Sequence, residues 1–284
     1  MTNFLSPFFF VSSSLTLLLG IGVLRVNPRN FIYQAWFYFC FSVGLWSLGL
    51  GLLTVTTKYQ YVPLFYFLHY LGAINIPLAF LFFVRSYFVK SSKPELAEFT
   101  IPFALAIGQI GLLFTDKLIA PPSPKWQFTY YTNPGEFYWF FVGYFFLMVL
   151  YCFWIMFFAT IKAIGKEKIR FIFFLVATAI GYTSGSSAFL LVYDVKLPPY
   201  GIVFFLLFPI LTTYAIFRHG LLDIEVIIKR SLVFAGLFGF LMVIASNTLS
   251  FLQYLLGGTQ YSPFMTLGLT LTAVMLLYEP SKKY

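Results

Sequence analysis

The chain has 284 residues, 60% of them hydrophobic and 10% charged, with 18 Lys and Arg against 9 Asp and Glu for a net charge of +9. Soluble domains carry about 25% charged residues, and no segment between the apolar runs is long enough to hold a core, so a soluble fold is excluded. The basic residues are scattered between apolar runs and form no groove-sized cluster, which excludes nucleic acid as the partner that the net charge would otherwise suggest.

Apolar stretches of roughly twenty residues recur along the chain, the length a helix needs to cross the hydrocarbon of a bilayer. Barrel strands would be about ten residues long and alternate apolar with polar, and no such pattern is read here. The expected fold is therefore all-α, a polytopic transmembrane helix bundle. Nine spans are drawn, at 4–24, 31–55, 64–84, 99–115, 137–161, 171–193, 201–217, 231–255 and 263–278. Pro, Gly or charge marks many boundaries, as at Asn27-Pro28-Arg29, Asn133-Pro134-Gly135 and Leu197-Pro198-Pro199. The first span has no basic residue before it and Arg25 and Arg29 after it. That is the reverse of a signal peptide, so a retained helix starting on the extracytoplasmic side is expected.

Short cytoplasmic loops collect Lys and Arg. With the N-terminus outside, the inner loops and tail hold 14 of the 18 basic residues, and the outer loops hold only Lys58, Lys117, Lys125 and Lys196. The alternation runs unbroken through nine helices and puts the C-terminus inside. The location that follows is the inner (plasma) membrane, with membrane lipid as a constant partner.

The longest outer loop, 116–136, carries Pro121, Pro122 and Pro124 with Trp126, Tyr130 and Tyr131. It is read either as an aromatic loop at the headgroups or as a lid over the bundle. His69 and Asn75 share the third span with Pro77; His69 is either a ligand-binding or pH-sensing group or a neutral ring bonded to a neighbouring helix. In the sixth span, Gly181-Tyr182-Thr183-Ser184-Gly185 places small residues four apart, which suits close helix packing. The same residues are also read as a polar patch lining a pocket. His69, Asn75, Trp126, Tyr130, Tyr131, Tyr182, Thr183 and Ser184 together form the candidate ligand-facing set. Cys40 and Cys152 lie inside spans and are expected as free thiols. No metal-ligand motif, nucleophile elbow or phosphate-cradling glycine loop is read, so no cofactor, metal or catalytic activity is expected.

The stretch Arg218–Arg230 is short and amphipathic. Tyr214, Ala215, Ile216 and Arg218, followed by Leu221, Leu222, Asp223 and Ile224 and then Lys229 and Arg230, resemble a hallmark of the seven-transmembrane N-terminal region of bacterial sensor histidine kinases. Leu45-Trp46 to Gly49, Ile76-Pro77 with Phe80–Phe83, Gly165–Arg170, Gly181, the Leu197–Gly201 turn and Tyr278-Glu279-Pro280 are similar to further parts of such chains. The resemblance implies a membrane sensor module of a two-component signalling system. It would detect a small or lipophilic ligand and relay a conformational change to a cytoplasmic kinase or output domain, either a separate partner or a missing C-terminal domain. A homodimer is a further expected partner arrangement.

In this reading, 1–217 is a seven-helix sensor-like body, 218–230 a cytoplasmic connector and 231–284 a two-helix extension with a cytoplasmic tail. Arg218, Leu222, Asp223, Glu225, Lys229 and Arg230 are the expected relay residues. Neither His69 nor His219 is followed by an acidic residue, as a phosphoacceptor histidine would be. The competing reading is a carrier of a neutral or lipid-like solute, suggested by Pro77, Gly181, Gly185 and Pro209 as breaks within spans.

Overall fold

The computed structural model describes residues 5–89, 96–126, 128–195, 201–205, 207–209 and 211–212. The connector residues Arg218, Leu222, Asp223, Glu225, Lys229 and Arg230, and the expected eighth and ninth spans, lie outside them.

Among the described residues, seven helices and one hairpin follow in chain order: α1 (Ser6–Val26), α2 (Phe31–Val55), a 3-10 turn (Tyr59–Tyr61), α3 (Val62–Phe88), α4 (Leu96–Leu112), β1 (Ile119–Lys125), β2 (Phe128–Pro134), α5 (Tyr138–Lys162), α6 (Gly165–Val192) and α7 (Gly201–Phe204). Helices α1, α2, α3, α5 and α6, with the turn preceding α3, are long and apolar enough to cross a membrane. They coincide with the first, second, third, fifth and sixth spans drawn from the sequence. Helix α4 has 17 residues, and its apolar run starts at Glu98.

Local chemistry sets several helix starts. Asn30 caps α2, its side chain accepting from the Ile32 N–H at 2.9 Å. Pro residues occupy the first turns of α1 and α3, where the missing N–H would have had no intrahelical partner. Helix α3 runs without a break through Pro77, and α6 through Gly181 and Gly185. The helix breaks that motivated the carrier reading at these three positions are therefore not there.

Short connections make α1, α2 and α3 run antiparallel, with α2 packing most extensively on α3 and α1. Helices α5 and α6 close the bundle around them. The outward faces of α4 and α5 expose Ile101, Phe103, Leu147, Leu150, Trp154 and Phe157, a distribution suited to lipid contact rather than water.

The 116–136 loop adds one β element to the helical bundle. It forms a two-stranded antiparallel hairpin, β1–β2, pairing Ile119 with Pro134 and Lys125 with Phe128, with register irregularities on either side of Ser123. Prolines 121, 122 and 124 hid it from a sequence reading, because proline cannot donate to a ladder. A two-stranded sheet consists only of edges, and edges tolerate proline. Asn133 completes the pairing through its side chain, donating to the Pro121 carbonyl at 2.7 Å. The base is closed by Gly135 N–H to Leu118 O and Phe137 N–H to Lys117 O.

Candidate functional site

The site begins with two glycines. A Cβ on Gly49 of α2 would come within 2.5 Å of the His69 backbone nitrogen, and one on Gly72 of α3 would collide with the Trp46 nitrogen and lie 2.6 Å from Ser42 O. Only hydrogen fits at either position, so α2 and α3 touch backbone to backbone. That closeness lets His69 reach across the helix boundary, where its Nδ1–H donates to the Trp46 carbonyl at 2.9 Å. A carbonyl can only accept, so the proton is on Nδ1 and the neutral ring keeps Nε2 as an acceptor. The imidazole packs against Trp46 and Tyr70, with ring centroids 5.9 and 4.9 Å away.

A small cavity of about 320 Å³, including its open side, lies beside His69. Its walls are Trp46, Tyr70 and Ala73 from α2 and α3, Tyr131 and Thr132 from β2, Tyr138 and Phe141 from α5, and Gly185, Ala188, Phe189 and Val192 from α6. The hairpin therefore supplies part of the cavity wall, at the end of the bundle where α6 finishes.

Two hairpin side chains hold it to α6. Tyr131 donates its hydroxyl to Ala188 O at 2.9 Å. The buried Lys125 ammonium donates to Val192 O at 2.8 Å and pairs with Asp194 at 2.9 Å. Val192 ends α6, and its neighbours close the helix with Val195 N–H to Leu190 O and Asp194 N–H to Leu191 O. This is the Schellman arrangement, with Asp194 in the left-handed region at φ 59° where glycine is usual. Lys125 then satisfies a terminal carbonyl and places positive charge at the negative end of the helix dipole. Burial, and to a lesser extent Tyr70 and Tyr66, pushes the Tyr131 phenol well above its ordinary 10.0, keeping it a donor at neutral pH.

The larger space is a cleft of about 480 Å³, again including its open side, sharing Trp46, Ala73, Gly185 and Phe189 with the small cavity. Phe39, Val43, Ile76, Phe145, Thr178, Gly181, Tyr182, Ser186, Phe205 and Phe208 complete its lining. Phe205 lies edge-on to Trp46 at 4.9 Å and Phe208 edge-on to Phe39 at 5.8 Å. The Thr178 hydroxyl is bonded within α6 to Phe174 O. Tyr182 packs among Phe80, Phe145 and Phe153, and its buried hydroxyl has no hydrogen-bond partner among the described residues.

The residues singled out from the sequence divide. His69 and Tyr131 meet at the small cavity, and Tyr182 lines the cleft. Asn75 lines neither: it accepts from Tyr38 of α2 and donates to Leu71 O at 2.8 Å. Ser184 is buried but returns its hydroxyl to Ile180 O at 2.6 Å, and Thr183 is exposed on the outside of α6. Tyr130 lies outside both spaces, bonding Thr57 O at 3.3 Å and packing on Tyr59. Trp126 is at the hairpin tip with φ 50°.

Other contributors escaped the sequence reading. Trp46 bridges both spaces. The Phe39, Phe205 and Phe208 rings wall the cleft, yet nothing distinguishes those three in sequence from lipid-facing aromatics. At the opposite end, Arg85 forms an ion pair with Glu98, which also accepts from Tyr151 at 2.7 Å, tying α3, α4 and α5 together. Their charges lie in helix ends that the drawn spans stopped short of.

A family model described as the N-terminal 7TM region of histidine kinase matches residues 8–225. No curated protein and no solved structure matches.

Proposed function

Because the chain belongs to the family of N-terminal seven-transmembrane regions of histidine kinases, a multi-pass membrane sensor module, we propose that it detects a small or lipophilic ligand and relays a conformational change to a cytoplasmic kinase output. The observation that carries this reading is the extent of the match, which runs through all the described helices and into the 218–230 segment.

The arrangement proposed is nine spans in the inner membrane, N-terminus outside and C-terminus inside, supported by the 14 basic residues assigned to inner loops and tail against 4 outside. The hairpin then faces outward and covers the bundle. A ligand shifts the equilibrium between two packings only through differential affinity for them. The elements suited to such a shift are α3, α6 and the segment following α7, all of which line the larger cleft. Arg218, Leu222, Asp223, Glu225, Lys229 and Arg230 form the connector that passes the change to the last two spans and on to the output. His69, Tyr131 and Tyr182 are the ligand-side residues of this proposal.

The test fuses residues 1–284 to a kinase output domain and deletes Arg218–Arg230. Loss of stimulus-dependent autophosphorylation, with expression and membrane insertion retained, is the expected result. Unchanged signalling in the deletion removes the relay.

A further inference from the structure

We infer that the cleft between α2, α3, α5 and α6 is a binding site for an uncharged lipophilic alcohol, seated against Gly185 with its hydroxyl on the Ala73 carbonyl. This rests on the sensor reading for its purpose, though not for its chemistry.

The first observation is what faces the glycines. Gly49 and Gly72 have neighbouring backbone against them, as close helix crossings require. Gly185 has only ring atoms near it, Trp46 at 3.6 Å and Phe205 at 3.8 Å from a built Cβ. That is ordinary contact distance, not a crossing. Gly185 is therefore not held by a helix crossing, and it lines the cleft.

The second observation is depth. Gly181 lies eleven residues before the end of α6, about 16 Å along its axis at 1.5 Å per residue. Ala73 is the same distance from the start of α3. Both are at hydrocarbon depth, where a charged guest would need a partner. No charged side chain lines the cleft among the described residues, so the guest is neutral. Seven aromatic side chains make the rest of it apolar.

The third observation supplies polarity. Pro77 stands inside α3 and has no N–H to give the carbonyl four residues back. That residue is Ala73, which borders both cavities. Its oxygen is thus unused by the ladder of α3. An unused acceptor at this depth calls for a donor, and a hydroxyl is the donor that adds no charge.

The test uses the full chain in nanodiscs with three photoreactive probes of equal chain length, each bearing a diazirine: a fatty alcohol, its methyl ether and the corresponding fatty acid. Labelled residues are mapped by mass spectrometry. The alcohol is expected to label cleft residues such as Phe205 and Phe208, with the ether and the acid each at least about tenfold weaker in affinity. Gly185→Phe fills the space and abolishes cleft labelling, while Gly185→Ala retains it. Phe208→Ala enlarges the cleft and raises labelling, an outcome that misfolding cannot produce. Pro77→Ala returns an N–H to Ala73 and erases the preference for alcohol over ether.

Labelling confined to the outward faces of α4 and α5 would overturn the site. Equal labelling by alcohol and ether in the unmodified chain would overturn the role of Ala73. Cleft labelling without any kinase response in the fused protein leaves the site standing and removes the sensor reading. A kinase response to a ligand that never labels the cleft does the reverse.

Discussion

Single residues decide how closely α2 and α3 approach, and through that whether His69 has a partner. Gly72→Val pushes a side chain into the Trp46 and Ser42 backbone. It is expected to cost about 1–3 kcal/mol, in the range of overpacked cores, seen as a lower Tm in detergent. Gly22, with nothing within 4 Å of a built Cβ, is the control: Gly22→Ala leaves Tm unchanged. His69 stood out in the sequence as a lone imidazole in an apolar span. Its partner did not, because that partner is a backbone carbonyl. Ser184 misleads in the opposite sense: a buried serine suggests a site, yet its hydroxyl bonds its own helix, the usual outcome for serine in a helix interior. Tyr131 carries a pH prediction. Its folded pKa is raised above the ordinary 10.0, so its contribution is complete below pH 10 and is lost as pH rises beyond it. Thermal unfolding from pH 8 to pH 11 should show that loss, and Tyr131→Phe should make the decline shallower.

At the scale of elements, the hairpin is the informative case. Its aromatic content was legible, and so was its place over the bundle end. Its strands were not, since three prolines argued against any ladder. What attaches it is Lys125, a basic residue that loop charge counting treats as free in solvent. Lys125→Met leaves the Val192 carbonyl without its donor, at a cost of about 1–3 kcal/mol. Hydrogen exchange should rise across residues 119–134 and in the last turn of α6. Asp194→Gly removes only an exposed charge partner, worth little in water, and relieves a left-handed non-glycine residue. It should leave stability equal or higher. If both substitutions loosened the hairpin alike, the ion pair rather than the helix cap would be its anchor. The long apolar helices, by contrast, were readable to within a few residues, because twenty consecutive apolar positions have no other backbone solution in lipid. The charged helix ends were not: Arg85, Glu98 and Arg170 continue helices that hydropathy alone ends earlier.

At the scale of the whole molecule, the loop charges make a prediction that the helices themselves do not. Lys58 and Lys166 are exposed at opposite ends of the bundle. Cys40 and Cys152 are buried, so a cysteine placed at either lysine is read almost alone. In whole cells a membrane-impermeant maleimide should label Lys58→Cys, and should label Lys166→Cys only after the membrane is opened. The reverse pattern would invert the proposed orientation. The cavities were the least legible feature at this scale. Phe39, Phe205 and Phe208 have the same hydropathy whether they face lipid or an internal space, and only the assembled fold separates the two.

The central claim is that the cleft in this bundle sets the state of a kinase. It is tested by fusing residues 1–284 to a kinase output, reconstituting the fusion in nanodiscs, and measuring the autophosphorylation rate of Gly185→Phe. The control is Leu190→Phe, on the exposed side of the same helix. Filling the cleft should fix the output at one level, several-fold from the unmodified rate and insensitive to added lipophilic alcohol, while Leu190→Phe behaves as the unmodified protein. Equal rates and equal responses in both variants would contradict the claim.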